Sequence, residues 1–383
     1  MDQIEEQRIL AEIPLWRRAL YACVGMVLML AAMLILGELV CRLLPVNEGL
    51  RTQPVNAESP IHRFQPNRSS TWSRGWNFSI VNRIHVNNEG FVNDQDYKTE
   101  GPRPLLAVVG DSYIEAAMVP YRETVQGRLA GKVGTNGRVY SFAASGAGLS
   151  QYLVWAEYAR DKFRPDAFLF LNISNDFSES LYHFERSPGF HHFEKAPDGS
   201  AVMRRVDYQP TLMRRLARYS ALATYLFTNV KIESVLKVQL QHHGGDDKRW
   251  AGNIARDAVP EQVADYQWAV RNFLERLPLA TGLPPERIAI AVDGIREAVY
   301  RPADKADLER SLWGRMRTHM ADQAARRGFV VIDMQPIFEQ AFARDSERFE
   351  FPTDSHWNGY AHGLLAEAVA SKMPFNALIA GVR

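Results

Sequence analysis

Apolar and polar positions along the chain alternate between short apolar runs and longer mixed segments. The short runs, bounded by Gly, Pro or polar residues, predict buried parallel strands rather than half-exposed ones. They lie at residues 105–109, 138–144, 167–173, 287–292 and 329–334. The segments between and after them predict helices at residues 114–118, 124–133, 149–163, 259–279, 305–327 and 359–372. Strands separated by helices of this length predict an α/β fold, a three-layer α/β/α sandwich with a parallel sheet.

The alternation of strands and helices fails in one long region. We interpret residues 178–258, approximately, as an insertion that caps the functional site of a domain spanning residues 101–383. The insertion carries a basic amphipathic helix near Arg214, Arg215 and Arg218, whose basic face either is solvated or contacts an anionic lipid or polymer.

The pattern before residue 45 predicts a membrane anchor. Residues 1–18 form a polar tail, and residues 19–44 form an apolar stretch whose uncharged part would span about 28 Å as a helix, close to the thickness of the hydrocarbon layer. Arg17 and Arg18 precede this stretch, which predicts a cytoplasmic N-terminus and an extracytoplasmic domain. A cleaved signal peptide is the alternative, but no small-x-small cleavage site follows the apolar run.

Residues 45–100 predict an extended linker that packs back on the domain. Several prolines are followed by one or two short strands near residues 78–86 and a turn near Gly90. Trp72 and Trp76 in this linker serve either for packing or for stacking on a sugar.

Composition excludes several functional classes. Lys and Arg number 45 against 44 Asp and Glu with no basic block, which argues against a nucleic-acid partner. Both cysteines, Cys23 and Cys41, lie in the N-terminal apolar region, so neither a disulfide framework nor a cysteine-ligated zinc site is available to the domain. Adjacent histidines rarely face one ion, so the pairs at 191–192 and 242–243 predict no metal site, and no cofactor is expected.

Ser112 occupies a position suited to a nucleophile. It follows the strand at 105–109 and Gly110, where the chain turns into a helix. This turn would place the hydroxyl at the carboxyl edge of the sheet, near free backbone N–H groups that can stabilise an oxyanion. The alternative interpretation of Asp111 and Ser112 is an ordinary turn and helix cap.

Three further segments fall in loops that would share this edge of the sheet. Gly146 follows the second strand, Asn175 follows the third, and Asp354 and His356 precede the last helix. A glycine allows backbone N–H groups to approach a ligand, an asparagine offers an amide donor, and a histidine oriented by a carboxylate is a general base. Taken singly, these residues are equally typical of turns, caps and loops.

Together these four segments resemble the blocks of the SGNH (GDSL-type) hydrolase family, in the same order, over roughly residues 105–370. The resemblance implies that Ser112 is the nucleophile, that His356 is the base oriented by Asp354, and that the N–H groups of Ser112 and Gly146 and the side chain of Asn175 form the oxyanion hole. Ile173 stands where the family usually has glycine. The acid lies two residues before the histidine rather than three, where Thr353 stands, and this spacing is similar to that of the acetyltransferase branch.

The segment at 351–362 resembles membrane-anchored bacterial members and the related alginate-type O-acetyltransferases. The function expected from this resemblance is a serine acyl-ester hydrolase in the inner membrane, held by residues 19–44, with its domain in the periplasm. It would remove acyl groups, such as acetyl, from an envelope or exported carbohydrate or another acyl ester. The alternatives are an O-acyltransferase that acetylates an exported polysaccharide, with a membrane protein as acyl donor, and a non-catalytic glycan-binding or scaffold protein.

Overall fold

A five-stranded parallel sheet forms the centre of the molecule in a computed structural model that describes residues 14–231, 250–251, 254–257 and 259–372. In spatial order its strands are Arg138–Ala143 (β4), Leu105–Gly110 (β3), Ala167–Asn172 (β5), Ile288–Val292 (β10) and Val330–Asp333 (β11). Strands β3, β4, β5 and β10 are buried along their whole length, which is typical of parallel strands that are covered on both faces.

Helices cover both faces of this sheet, because successive side chains of each strand point to opposite faces. Alternate residues of β3 join two separate apolar layers, with Ala107 and Val109 in one and Leu106 and Val108 in the other. The first layer contains helices Leu149–Phe163 (α4), Pro260–Thr281 (α8) and Leu312–Arg326 (α11). The second contains helices Val125–Val133 (α3), Met334–Asp345 (α12) and Gly359–Ser371 (α13). The fold is therefore the three-layer α/β/α sandwich with a parallel sheet.

The remaining described helices and strands are short, apart from one long N-terminal helix. The helices are Leu15–Leu43 (α1), Ser112–Glu115 (α2), Asp176–Glu179 (α5), Leu212–Ala217 (α6), Ala221–Thr224 (α7), Arg296–Tyr300 (α9) and Lys305–Arg310 (α10). The strands pair as antiparallel hairpins: Arg68–Arg74 (β1) with Ile80–Val86 (β2), His191–Lys195 (β6) with Ala201–Arg205 (β7), Trp250–Ala251 (β8) with Ile254–Ala255 (β9), and Glu350–Phe351 (β12) with Asp354–Trp357 (β13).

The structure corrects three helix predictions. The helix predicted at 114–118 begins at Ser112 and ends at Glu115, because Ala116 adopts a left-handed conformation with φ of 46°. The helix predicted at 305–327 is two helices, since Ser311 caps a new start by accepting from Gly314 N. Ser220 divides the predicted basic helix in the same way. Helices α5, α9 and α12 and the hairpins β6–β7, β8–β9 and β12–β13 were not predicted, and Asp354 and His356 lie in strand β13 rather than in the expected loop. The histidines at 242–243 lie outside the described residues.

Helix α1 is long and apolar enough to cross a membrane. None of the residues in its most apolar stretch is buried against the rest of the protein. Residues 46–100 pack on the sandwich, where Phe64, Val86, Phe91 and Tyr97 enter the same apolar layer as α4. Side chains from residues 46–100 therefore share the apolar core on one face of the sheet.

Candidate active site

The turn between β3 and α2 holds Ser112 at the carboxyl edge of the sheet. Asp111 caps α2, since its Oδ1 accepts a hydrogen bond from Tyr113 N at 2.9 Å. A side chain at Gly110 would bring its Cβ within 2.4 Å of Ile114 Cγ1, so the sharpness of this turn requires glycine. Ser112 thus becomes the first residue of the helix, with its hydroxyl free to face the loops at this edge.

The structure brings Ser112, His356 and Asp354 into one hydrogen-bonded row. His356 Nε2 lies 2.9 Å from Ser112 Oγ, and His356 Nδ1 lies 2.5 Å from Asp354 Oδ1. Ser112 Oγ also lies 2.9 Å from Asp111 Oδ2, so its single proton has two acceptors within reach. When the proton points to Nε2 and Nδ1–H points to Asp354, the imidazole is the tautomer that a general base requires.

Strand β13 explains how Asp354 and His356 meet. Residues two apart in a strand project from the same face, so the carboxylate and the imidazole lie side by side. Asp354 Oδ1 additionally accepts from the backbone N–H of His356 at 3.0 Å. Thr353, at the spacing commoner in the family, contacts Ser79 and Arg74 instead.

Arg74, the last residue of β1, holds the other oxygen of Asp354. Its Nη1 lies 2.8 Å from Asp354 Oδ2 as an ion pair, and its Nε donates to Thr353 O at 2.9 Å. Burial raises the pKa of Asp354, but the hydrogen bonds and charge of His356, together with the charge of Arg74, outweigh burial and hold it below its usual value. Asp354 is therefore kept ionised. No local sequence signal marked Arg74, which belongs to a segment predicted only to be a linker.

A buried guanidinium fixes the strand that carries His356. Arg296 donates from Nη1 to Ser355 O at 2.7 Å and from Nη2 to Tyr113 Oη at 2.9 Å. Tyr113 Oη in turn donates to Ser355 O at 3.1 Å, and Trp357 Nε1 donates to Asp293 Oδ1 at 3.1 Å. Both neighbours of His356 are therefore held in place from outside the β12–β13 hairpin.

Glu115 holds the loop that contains Gly146. Its carboxylate accepts from Ser145 N at 2.8 Å and from Ser145 Oγ at 3.0 Å. Gly146 has φ of +86°, a left-handed conformation that side chains rarely adopt. Burial raises the pKa of Glu115 to about 7, although the two hydrogen bonds from Ser145 oppose the rise. Glu115 lies three residues after Ser112, so the motif itself could have directed attention to it.

Asn175 lies in the loop after β5, at the same edge as Ser112 and Gly146. The preceding Ile173 replaces the family's usual glycine without strain, because its backbone φ is not positive and its side chain is buried in the apolar layer around α3. Asp176 Oδ2 accepts from Ile173 N at 2.9 Å and fixes this loop. The assignment of Gly146 and Asn175 to an oxyanion hole stays a prediction.

Three carboxylates lie close together near Ser112. Oxygens of Asp111, Asp176 and Glu179 lie within 4.8 Å of one another, the arrangement that a cation with oxygen ligands would use. Hydrogen-bond donors of the protein already contact both carboxylate oxygens of Asp176, because it accepts from Tyr152 Oη and from Asn172 Nδ2, each at 2.9 Å. Burial raises the pKa of all three, that of Glu179 to about 8, so protonation can relieve their repulsion.

Two cavities lie near these residues. One, of about 400 Å³, adjoins the Glu115–Ser145 contact, and its lining includes the aromatic side chains of Phe64, Trp72, Phe190 and Tyr208 together with Arg214. The other, of about 860 Å³, opens beside Asp354 and is lined by Arg74, Arg296 and Arg348 among others. Trp72 thus faces a cavity, whereas Trp76 is exposed.

No protein-family model and no curated protein matches the sequence. Among solved structures, an α/β hydrolase enzyme from the metagenome of Lake Arreo in Spain is similar, at 13% identity and a TM-score of 0.37, with 74% of this chain and 99% of that chain covered. A member of the lipolytic G-D-S-L family from Veillonella parvula is similar at 11% identity and a TM-score of 0.37, over 70% and 97% of the chains.

An acetylxylan esterase from Geobacillus stearothermophilus, in a catalytic mutant form, is similar at 12% identity and a TM-score of 0.34, over 72% of this chain and 97% of that chain. At these identities and TM-scores the similarities carry no conclusion about the activity or substrate of this chain.

Proposed function

We propose that this chain is a membrane-anchored serine acyl-ester hydrolase in which Ser112 is the nucleophile, His356 the general base and Asp354 the residue that orients the base. The observation that carries the proposal is the continuous row from Ser112 Oγ through both imidazole nitrogens to Asp354. A hydroxyl, an imidazole and a carboxylate at these distances are what acyl transfer through a serine requires.

In the proposed reaction His356 Nε2 takes the Ser112 proton while Oγ attacks the acyl carbonyl carbon. The oxyanion formed would be stabilised by the N–H groups of Ser112 and Gly146 and by the Asn175 side chain. The ester C–O bond then breaks, the alcohol leaves with the proton from His356, and the acyl group stays on Ser112. Water then attacks the acyl carbon and gives one proton to His356. The bond between the acyl carbon and Ser112 Oγ breaks, His356 returns the proton to Oγ, and the carboxylic acid leaves.

We propose an acylated carbohydrate of the cell envelope as the substrate class. The cavity of about 400 Å³ beside Ser145 supports this choice, because it combines aromatic faces with the charge of Arg214. Aromatic side chains offer apolar surface with polar edges, which suits ligands that are themselves amphipathic.

O-acyl transfer is a second candidate, favoured by the position of this cavity next to the loop that holds Gly146. If a sugar hydroxyl replaces water in the second step, the same relay acetylates the sugar instead of hydrolysing the ester. Incubation of the full-length protein with an acetyl ester, with and without an acceptor oligosaccharide, separates the outcomes. Free acetate alone indicates hydrolysis, and an acetylated oligosaccharide indicates transfer.

We propose that α1 anchors the protein in the bacterial inner membrane with its N-terminus in the cytoplasm and the domain in the periplasm. Arg17 and Arg18 precede the uncharged part of the helix, and the exposed apolar surface of α1 supports a place in lipid.

Labelling with a fluorophosphonate probe tests the catalytic role of the serine. The full-length protein in detergent is expected to label, and Ser112→Ala is expected to lose the label entirely because the probe phosphonylates an activated hydroxyl. Ser200→Ala, in the β6–β7 turn, is the matched control and retains labelling. An unlabelled wild-type protein with an intact fold would favour the non-catalytic scaffold.

A further inference from the structure

The segment of residues 211–229, which contains α6 and α7, packs against the outer end of α1. A methyl group placed on Gly37 would lie 3.2 Å from Leu222 Cδ2, so the Leu222 side chain packs directly on the backbone of α1 there. Gly37 is the last residue of the uncharged run of α1. A helix that spans the hydrocarbon layer with this run would therefore carry the segment to the level where lipid headgroups begin.

Glu38 fixes the orientation of this segment on α1. Its carboxylate accepts from Ser220 Oγ at 2.8 Å, from Ala221 N at 3.1 Å and from Leu222 N at 3.0 Å, so it caps the start of α7. Arg42 bridges the same carboxylate at 2.8 Å. The contact is thus a specific polar joint, which explains why a carboxylate interrupts the apolar stretch.

A second joint ties the segment to the domain. Asn229 accepts from Asn47 N at 3.0 Å through its Oδ1, and it donates to Ser73 Oγ at 2.9 Å through its Nδ2. Ser73 directly precedes Arg74, the residue that pairs with Asp354. The segment therefore connects the end of α1 to the strand that reaches the carboxyl edge of the sheet.

The outer surface of the segment is apolar on one side and basic on the other. Leu212, Leu216 and Tyr219 follow each other at positions i, i+4 and i+7, and more than half of each side chain is exposed. Met213 and Phe227 are equally exposed. Such a group of exposed apolar side chains is unusual on a soluble surface and marks a binding face.

Cations lie beside this apolar group. Arg214 and Arg215 are exposed, and burial together with the charges of Arg51, Arg214 and Arg215 lowers the pKa of Arg218. Crowded guanidinium groups next to exposed apolar side chains are the composition of a segment that lies in the interface of a bilayer with anionic lipids.

We infer that residues 211–229 lie on the outer surface of the bilayer that α1 spans, with Leu212, Met213, Leu216 and Tyr219 among the lipid headgroups and acyl ends. The occupant of this face is the phospholipid surface, because the face continues the lipid-exposed surface of α1 and its charge suits anionic headgroups. This inference rests on the proposed membrane span of α1. The domain would then be held on the membrane at two places instead of by α1 alone.

Site-specific fluorescence in lipid nanodiscs that contain anionic phospholipid tests this inference with the full-length chain. The two native cysteines are removed as Cys23→Ser and Cys41→Ala, and an environment-sensitive dye is attached after Met213→Cys or Leu216→Cys. Lipids that carry a nitroxide near the headgroup are expected to reduce the dye emission at 213 and 216 by about twofold or more. Leu279→Cys is the matched control, since Leu279 is exposed but contacts Arg160 near the amino edge of the sheet.

Leu30→Cys, in the middle of α1, reports separately on the membrane span with nitroxides placed deep in the acyl chain. Quenching at 30, 213 and 216 but not at 279 supports the inference. Quenching at 30 without quenching at 213 and 216 overturns it and leaves the anchor intact. A blue-shifted but unquenched dye at 213 overturns it in favour of a protein covering the face, such as a second copy. No quenching at 30 overturns the membrane span itself and the inference with it.

Discussion

His356 touches a hydroxyl on one side and a carboxylate on the other, and these two contacts set the chemistry expected of the site. The side chain of Asp354 is fully buried, and it accepts hydrogen bonds from both the ring Nδ1–H and the backbone N–H of His356. A buried carboxylate in this position stabilises the imidazolium that forms when the serine proton moves. The role of each residue is therefore separable by substitution.

Asp354→Asn is expected to lower kcat for hydrolysis of an acetyl ester by roughly 10³–10⁴-fold, because an amide no longer selects the tautomer that leaves Nε2 free. The measurement is steady-state hydrolysis by the full-length protein in detergent. Thr353→Ala is the control for a local disturbance of the hairpin and is expected to retain most activity. An Asp354→Asn variant with more than about a tenth of wild-type kcat would assign the orienting role elsewhere.

Arg74→Ala is expected to reduce kcat by roughly 10-fold with little change in KM, because the guanidinium pairs with Asp354 and would act on the reaction through that carboxylate. Arg74→Lys keeps the charge but loses the planar fork that reaches both Asp354 and Thr353 O, so it is expected to recover only part of the rate. An unchanged kcat in Arg74→Ala would show that β13 alone fixes the carboxylate.

Among the secondary-structure elements, α2 and the loop after β4 are joined by a single buried carboxylate. Glu115 belongs to the four-residue helix that begins with Ser112, and it accepts both available donors of Ser145. The segment around Gly146, which is predicted to supply an N–H group of the oxyanion hole, is thus hydrogen-bonded directly to the helix that begins with Ser112. A change at Glu115 affects stability and site geometry together.

The wild-type protein is expected to lose folding stability as the pH rises from about 5 to about 8, and Glu115→Gln is expected to reduce this loss. The native pKa of Glu115, about 7, is raised above its ordinary value, so the native state binds the proton more tightly than the unfolded chain. Stability contributed by this proton is present below the unfolded pKa and is lost as the pH rises through 7. At pH 8 the variant is expected to be more stable by up to about 3 kcal/mol.

Thermal unfolding of the full-length protein in detergent at pH 5 and pH 8 measures this effect. The Tm of the variant minus that of the wild type is expected to be larger at pH 8 than at pH 5. Glu157→Gln, at an exposed glutamate of α4, serves as the control and is expected to shift neither value. An equal difference at both pH values would mean that the protonation of Glu115 does not change between pH 5 and pH 8.

The elements that the sequence predicts well are those with a strong pattern. The strands of the sheet and helices α4, α8 and α13 follow from apolar runs and periodicity, and the row of Ser112, Asp354 and His356 follows from motif order. Helix α12 was missed because it begins directly at the strand end, where Asp333 caps it through Gln335 N. Arg74 and Arg296 were missed because their partners are distant in the chain, and no local pattern encodes such a contact.

At the scale of the whole molecule, the segment between α1 and the sheet is packed into the domain that carries the candidate site. Asn82 Nδ2 donates to Ala117 O and to Val119 O, each at 2.9 Å, and Trp155 Nε1 donates to His62 O at 3.1 Å. Phe64 and Phe91 are buried in the layer of α4. Residues 46–100 therefore complete the core as well as the site.

A chain lacking residues 1–45 is expected to fold without detergent and to react with the fluorophosphonate probe, whereas a chain lacking residues 1–100 is expected to aggregate. The second deletion removes buried aromatic side chains and Arg74, and it exposes the apolar surface they covered. Gel filtration and probe labelling of both chains measure the outcome. A soluble, reactive chain that begins at residue 101 would show that the preceding segment is dispensable.

The pairing of Arg74 with the turn before His356 joins parts of the chain that are synthesised far apart in time. Along the chain 279 residues separate Arg74 from Thr353, which it contacts in the folded protein. Synthesis from the N-terminal end makes Arg74 early and the imidazole late. The proposed hydrolysis of esters is therefore withheld from a nascent chain until nearly the whole domain has been made.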